Sequence, residues 1–358
     1  MTSTAPAAPG GPAVPAAPLR IVVVTYAPGD SLDAFLASLP AATRLPYEVV
    51  LADNGSPAGP TAADDAVLAA AARPGIRLLS TGGNVGYGRA ANAGAFGHTG
   101  PWLVVANPDV VWHPGALDTL LDAADRWPRA GSLGPGILTP EGDLYPSARA
   151  LPSLGRGIGH AALGWVWADN PWTRAYRREQ GRPEEGPAGW LSGSCLLLRT
   201  EAFDAVGGFD PSFWMYFEDL DLGARLTDAG WQNVYVPTAV VAHEGGHASR
   251  RTPKLMLKAH HRSAYLYLSR VYAGPQHLLT RLVLRAGLAL RYLVATLPGT
   301  VGAKVGEGAR PTRPGSALPA EASGVDHTRG VGRPESAPGG RGDATLGGGE
   351  HVRTGGTT

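Results

Sequence analysis

The hydrophobic positions of the first hundred residues form short apolar runs, separated by longer segments in which apolar residues recur at helical spacing. The runs are expected to be buried strands, because they are β-branched and end at turn residues. They are Leu19–Tyr26, Tyr47–Ala52, Ile76–Leu79 and Trp102–Ala106. The segments between them predict helices over 31–39 (with Ser31 as N-cap), 61–72 and 88–97. Strands that alternate with helices predict an α/β fold with a mostly parallel, doubly wound sheet.

The second half of the chain shows fewer such segments. Trp190–Leu198 and Val234–Ala242 are predicted strands, and Pro237 within the second one predicts a sheet edge or a break. A helix is predicted from Glu218 to Asp228. We therefore expect the sheet to be completed by strands from both halves of the chain.

Composition and charge narrow the class of protein. Hydrophobic residues make up 44% of the chain, so a sizeable core can form, and the net charge of +1 argues against a nucleic-acid partner. The single cysteine, Cys195, excludes an internal disulfide and fits a reducing compartment. We see neither a secretory signal nor an apolar run long enough to cross a bilayer, which predicts a cytoplasmic protein.

Two aspartates come directly after predicted strands, where doubly wound sheets bind their ligands. They are Asp53 and Asp109. Asp109 ends the sequence Asn-Pro-Asp, and a carboxylate there can hold a divalent cation against a diphosphate leaving group. The alternative is an ordinary turn residue.

A second acidic pair, Glu218-Asp219, follows an aromatic cluster that contains Trp214, Tyr216 and Phe217. A carboxylate in such surroundings is partly desolvated, so its pKa rises into the range that suits a general base. The alternative is a solvated acidic face at the start of a helix.

Five blocks in this order resemble one enzyme family: VVVTY (22–26), DNGS (53–56), GNVGYGR (83–89) with Asn92, NPD (107–109), and 193–231 with GGFDPSFWMYFEDLDLGARLTDAGW. Over about residues 19–270 the chain resembles the inverting glycosyltransferases of family 2, which have the GT-A fold. Within them it is similar to the bacterial rhamnosyltransferase branch.

The resemblance implies a role for each matching residue. Asp219 is the implied catalytic base, with Glu218 beside it, while Asp109 and His243 are the implied ligands of Mn²⁺ or Mg²⁺. Asn107 departs from the family's Asp-x-Asp pattern and leaves one carboxylate fewer; with an imidazole ligand, this favours Mn²⁺. The residues implied to bind the nucleotide-sugar donor are Thr25, Tyr26, Asp53, Asn54, Gly86, Arg89, Asn92 and Asn107.

The implied reaction transfers L-rhamnose from dTDP-L-rhamnose to a glycan or polyprenyl-linked acceptor in cell-surface polysaccharide synthesis. A UDP-hexose donor, a catalytically inactive glycan-binding protein and a glycosidase are the alternatives.

Several motifs have simpler explanations. His243 to His247 spells the zinc-protease pattern H-E-x-x-H, but it follows a strand and contains two glycines. The loop 82–88 has neither the spacing nor the position of a nicotinamide-binding turn. We interpret Cys195 and Trp190 as core residues, with an acceptor platform as the alternative for Trp190. For Arg89, a solvated arginine is the alternative to a phosphate contact.

The chain is expected to divide into four parts. Residues 1–18 form a disordered leader, 19–260 the GT-A catalytic domain, 261–300 a helical segment, and 301–358 a disordered tail. Basic residues such as Arg281 and Arg285 lie among leucines in the helical segment. We favour contact with anionic lipid on the inner face of the plasma membrane over a helix that only covers the domain.

Overall fold

The computed structural model describes residues 17–56, 62–152, 184–245 and 253–297. Residues 1–16 of the predicted leader, the whole predicted tail and His247 therefore lie outside the described residues. The central sheet has the strand order β3-β2-β1-β4-β11-β6-β12-β5, with β7 added beside β6 and β9 beside β12. A separate small sheet pairs β8 with β10.

The strands of the first half lie as predicted, within one or two residues at each end. They are β1 Leu19–Thr25, β2 Tyr47–Asp53, β3 Ile76–Ser80 and β4 Trp102–Ala106, and they run parallel to one another. The later strands are β5 Val110–Trp112, β6 Ala130–Leu138, β7 Leu144–Tyr145, β8 Ala148–Arg149, β9 Gly186–Ala188, β10 Trp190–Leu191, β11 Cys195–Arg199 and β12 Gln232–His243. Along the main path only β11 and β5 run antiparallel to their neighbours. The predicted mostly parallel α/β sheet is confirmed.

Helices cover the sheet and extend beyond it at the C-terminal end. They are α1 Ser31–Ala42, α2 Ala62–Ala71, α3 Tyr87–Ala95, α4 Ala116–Arg126, α5 Thr200–Ala205, α6 Glu218–Asp228, α7 Pro253–Val271 and α8 Leu278–Thr296, with a short 3₁₀ turn at Pro275–His277. One apolar cluster contains Phe35, Leu117 and Val241, and a second contains Val22, Phe209 and Leu226. Helix α7 crosses the predicted domain boundary at residue 260 and buries Met256 and Tyr267.

Two local predictions differ from the structure, and a third, a sheet edge or a break at Pro237, agrees with it as a break. Ser31 is the first residue of α1 rather than its N-cap; Asp30 takes that place, and the Ser31 hydroxyl donates to the Pro28 carbonyl at 2.6 Å. The predicted strand 190–198 is divided into β10 and β11 by a turn at 192–194. Pro237 lies in a strand paired on both sides, and it coincides with a register shift between Val236 and Val240.

Candidate active site

Polar side chains from distant parts of the chain meet at one edge of the sheet. The parallel strands β1, β2, β4 and β12 end there, and the antiparallel β11 begins there. Asn107 follows β4, and its backbone N–H donates to the Ser194 carbonyl at 2.9 Å. Asp109 precedes β5, which pairs with the end of β12 through Val110 and His243. The predicted metal ligands and the turn before β11 are therefore neighbours.

Asp219 lies at this edge with both carboxylate oxygens bound to backbone amides. Oδ2 accepts a hydrogen bond from the Gly193 N–H at 2.9 Å, and Oδ1 accepts one from the Leu220 N–H at 2.8 Å. A β-carbon at Gly193 would lie 3.1 Å from the β-carbon of Asp219, closer than neighbouring side chains normally pack. Glycine at position 193 therefore lets the amide approach the carboxylate without crowding the Asp219 side chain.

Burial changes the titration of the acidic pair. Desolvation raises the pKa of Asp219, and this effect is opposed by hydrogen bonds from the amides of Gly193, Leu220 and Asp219 itself and by the charge of Arg149. Burial, together with the negative charge of Asp219, raises the pKa of Glu218 to about 8. The raised pKa of Glu218 favours its neutral form, and hydrogen bonds from three amides favour the ionised form of Asp219. This agrees with the prediction of a desolvated base and disagrees with a solvated acidic face.

The residues that lead into α6 adopt strained backbone conformations. Tyr216 and Phe217 both have φ of 66°, a left-handed conformation that costs free energy in aromatic residues. Helix α7 packs against this turn: the ring of His260 lies 5.6 Å from that of Tyr216 and 5.4 Å from that of Phe217. The Ser263 hydroxyl donates to the Met215 carbonyl at 2.8 Å. The C-terminal helices therefore help to hold the turn that positions Asp219.

Three side chains at the ends of β4 and β12 can share a cation. His243 Nε2 lies 3.1 Å from Asp109 Oδ1 and 3.3 Å from Asn107 Nδ2. Two ligands of one divalent ion at right angles are about 3 Å apart, so the first distance fits. Exchanging the nitrogen and oxygen of the Asn107 amide would turn its oxygen toward the same point. Within the described ranges, no cluster of three or more His, Cys, Asp or Glu side chains has the arrangement of a metal site.

The predicted donor-binding residues of the first two strands form one connected group. Thr25 and Asp53 end neighbouring strands, and the Thr25 hydroxyl donates to Asp53 Oδ1 at 3.1 Å. Asp53 also accepts from the Ser56 hydroxyl, which in turn accepts from the Ala27 N–H. Tyr26 follows Thr25 and is 38% exposed. The carboxylate of Asp53 is therefore held by the hydroxyls of Thr25 and Ser56.

The loop after β3 is bound to the loop after β2 through Asn54. The Asn54 Oδ1 accepts from the Val85 N–H at 2.9 Å, and its Nδ2 donates to Asn84 Oδ1 at 3.2 Å. Gly86 has φ of +98°, and a β-carbon there would overlap the backbone of Trp214. Asn54 is buried, so its part in this site is to shape the loop.

Two predicted donor contacts make other bonds in the structure. Arg89 is exposed, and its Nε donates to the Pro211 carbonyl at 2.8 Å. Asn92 Nδ2 donates to the Phe209 carbonyl at 2.7 Å, and its Oδ1 accepts from the Phe209 N–H at 2.9 Å. These bonds connect α3 to the segment before α6.

Three residues of this edge were not among the predicted site residues. Gly193 binds Asp219, the hydroxyl of buried Tyr87 donates to the Gly193 carbonyl at 2.6 Å, and Arg149 contributes positive charge. Gly193 and Tyr87 lie in the sequence blocks that resemble family 2, so those blocks could have identified them as site residues. Arg149 lies outside every block.

The simpler explanations of the remaining motifs agree with the structure. Cys195 is fully buried in the core, and desolvation raises the pKa of its thiol. His243 ends a strand and is followed by coil at Glu244 and Gly245, so this part of the H-E-x-x-H sequence lacks the helix that a zinc protease needs. Trp190 packs in a third apolar cluster with Phe213 and Leu220.

Comparison with known proteins shows what this chain is similar to. The model of "Glycosyl transferase family 2" matches residues 20–207, and that of "Glycosyl transferase family group 2" matches residues 179–304. An N-acetylglucosaminyl-diphospho-decaprenol L-rhamnosyltransferase of Mycobacterium tuberculosis is 53% identical over 285 residues, which is 76% of this chain and 91% of that protein. Rhamnosyltransferase WbbL of Escherichia coli is 38% identical over 81 residues, 23% of this chain and 31% of that protein.

Solved structures are more distant. Mannosyltransferase PcManGT from Pyrobaculum calidifontis, in complex with GDP-Man and Mn²⁺, has 16% identity and a TM-score of 0.46, covering 79% of this chain and 74% of that chain.

The sheet, the site at its edge and the family match define a glycosyltransferase. The chain belongs to glycosyltransferase family 2, and the predicted resemblance to its rhamnosyltransferase branch is confirmed.

Proposed function

We propose that this protein transfers L-rhamnose from dTDP-L-rhamnose to a sugar hydroxyl of a polyprenyl-diphosphate-linked acceptor, with inversion at the anomeric carbon. The carboxyl group of Asp219, fixed by two amides at the ligand-binding edge, is the observation that carries the proposal. The 53% identity to the mycobacterial L-rhamnosyltransferase supports this choice of donor and acceptor.

The proposed reaction is a single displacement. The acceptor oxygen forms a bond to the anomeric carbon as the bond from that carbon to the diphosphate breaks, and the hydroxyl proton passes to Asp219. The raised pKa of Glu218 favours its neutral form, which limits the negative charge beside the incoming hydroxyl. The amides of Gly193 and Leu220 fix the orientation of the base, so little reorganisation is needed during the step.

We further propose that Asp109, His243 and the amide oxygen of Asn107 hold a divalent cation, Mn²⁺ in preference to Mg²⁺. The 3.1 Å separation of Asp109 Oδ1 and His243 Nε2 supports a shared ion. Such an ion supplies positive charge that stabilises the departing nucleoside diphosphate. Thr25, Tyr26 and Asp53 would hold the nucleoside end of the donor at the neighbouring strand ends.

The donor can be identified by offering the purified protein one nucleotide sugar at a time. With a synthetic prenyl-diphospho-N-acetylglucosamine acceptor and Mn²⁺, we expect a product heavier by one deoxyhexose from dTDP-L-rhamnose and little product from UDP-glucose or UDP-galactose. NMR of the product should show the anomeric configuration opposite to that of the donor. Equal or faster transfer from a UDP-hexose would contradict the choice of rhamnose and support the alternative donor.

The proposal includes contact with the inner face of the plasma membrane, through helix α8. None of the residues of α8 is buried, and at 3.6 residues per turn its exposed apolar side chains lie on one side. These are Leu278, Leu279, Leu282, Val283, Leu290, Leu293 and Val294. Within the described residues, no helix is long and apolar enough to cross a bilayer. The exposed side of α8 therefore fits a helix that lies in the membrane surface.

Charge supports an anionic bilayer as the partner of this side. Arg285 and Arg291 are exposed at the two borders of the apolar side, and residues 253–297 contain no acidic side chain. Arg281 instead binds the segment after α7, where it donates to the carbonyls of Tyr272, Ala273 and Gly274. A bilayer contact would also bring the enzyme to a lipid-linked acceptor.

The Leu290→Glu substitution tests this contact. We expect it to lower the partition coefficient onto vesicles of phosphatidylglycerol and phosphatidylethanolamine by about tenfold or more, because the substitution places a charge in the bilayer interface. Leu68→Glu in α2 is the matched control, since Leu68 and Leu290 are both 62% exposed. Vesicle flotation measures the partition. Unchanged binding would contradict the contact, and a fall in oligomer mass on sizing would indicate an interface between copies instead.

A further inference from the structure

Arg149 is held in a fixed position from which its charge acts on Asp219. It ends β8 and lies directly opposite Trp190 of β10 in the small antiparallel sheet. From there β10 continues into the turn that carries Gly193, the amide donor to Asp219. The charge of Arg149 acts on the Asp219 carboxyl and opposes the rise in its pKa. Arg149 is thus connected to the catalytic edge by the strand that also positions the base.

Among the described residues, the contacts that orient the guanidinium are with neutral groups. Its centre lies 5.3 Å from the Trp190 ring and 5.5 Å from the Tyr145 ring. Nε donates to the Pro146 carbonyl at 2.9 Å, and Nη2 donates to the Tyr145 hydroxyl at 3.0 Å. Among the described residues Arg149 forms no ion pair, and its Nη1 donates no hydrogen bond. A half-buried cation that is held by neutral groups is ready to bind an anion without first leaving a carboxylate.

The position of Arg149 favours the acceptor over the donor as the source of that anion. The donor diphosphate belongs, under the proposed function, beside Asp109 and His243 at the ends of β4 and β12. Asp219 meets the acceptor hydroxyl instead, and a phosphate attached to the same sugar lies one ring away from that hydroxyl. We propose that Arg149 binds the diphosphate of a polyprenyl-linked acceptor and so places the acceptor hydroxyl at the base.

This inference rests on the proposed function, and its test is a binding measurement that needs no donor. The probes are prenyl-diphospho-N-acetylglucosamine and the matching prenyl glycoside without phosphate, titrated in the same detergent. We expect wild type to prefer the diphosphate, and Arg149→Gln to lose about ten- to a hundredfold of affinity for it while binding the glycoside unchanged. Arg149→Lys should keep part of the preference, since it retains the charge without the fork of donors.

Arg199→Gln is the matched control. Arg199 also stacks on a tryptophan, Trp102, at 4.8 Å and donates to backbone carbonyls, but it lies at the other end of β11 from the active site. We expect its acceptor preference to equal that of wild type, with melting temperatures reported for every variant.

The other outcomes can be distinguished from one another. Equal affinity of wild type for both probes, or an equal loss of affinity for both probes in Arg149→Gln, would show that Arg149 does not bind the diphosphate. A loss of affinity for dTDP-L-rhamnose in Arg149→Gln would assign it to the donor. If the preference depends on Arg149 but no rhamnose is transferred, the proposed donor is wrong and the acceptor contact stands.

Discussion

Asp219→Asn is expected to lower kcat for glycosyl transfer by about a thousandfold or more, while the affinity for the nucleotide sugar changes less than about twofold. The reason is that an amide cannot take the proton of the acceptor hydroxyl. Asparagine is close in shape, but it has one acceptor oxygen for the two amides, of Gly193 and Leu220, that donate to Asp219. A small fall in melting temperature should therefore accompany the loss of activity.

Initial rates and donor titrations, measured separately, distinguish the base from a binding residue. Asp228→Asn is the control, since Asp228 ends the same helix α6 and is exposed. We expect wild-type kcat for it. If Asp219→Asn loses donor affinity in proportion to its rate, Asp219 is not acting simply as the base. If Asp219→Asn retains more than about a tenth of wild-type kcat, a group other than Asp219 accepts the proton of the acceptor hydroxyl.

The sequence predicted the first half of the sheet well because its strands are continuous apolar runs. The strand β6 was missed although it lies within the sheet, since its sequence AGSLGPGIL contains three glycines and a proline. Those residues normally indicate a loop. In the structure, a β-carbon at Gly134 would crowd Leu191, and one at Gly136 would lie 2.8 Å from the Pro237 carbonyl oxygen. The glycines of β6 are therefore explained by close contacts with residues that are distant in sequence.

The site shows a similar division between local and tertiary signals. Asp109, Asp219 and His243 were predicted from strand ends and from the recognised blocks, and the structure brings Asp109 and His243 together at the edge where Asp219 lies. Asn92 was predicted to bind the donor because it matches a family position. In the structure its side-chain amide instead forms hydrogen bonds with the backbone of Phe209. Arg149 had no local signal, because its relation to Asp219 depends on the pairing of β8 with β10.

Asp109→Ala is expected to weaken metal-dependent binding of the nucleotide sugar by about tenfold or more, because the proposed cation loses its carboxylate ligand. Asp109 is buried and lies 3.1 Å from His243 Nε2, so Asp109→Asn should accompany it as a variant of the same shape. Donor affinity is measured with Mn²⁺, with Mg²⁺ and with EDTA. Asp125→Ala, on the exposed side of α4, is the control and should behave as wild type.

The response to EDTA decides between two ways in which the prediction can fail. In wild type, EDTA should lower donor affinity to the level of Asp109→Ala, and in that variant EDTA should cause little further loss, because the same ion has already been lost. Wild-type affinity in Asp109→Ala that still falls with EDTA would place the cation on other ligands. If Asp109→Ala binds the donor as wild type does, and EDTA changes the affinity of neither protein, donor binding does not use a cation. His243 and Asp109 would then be an ordinary hydrogen-bonded pair that closes the junction of β12 and β5.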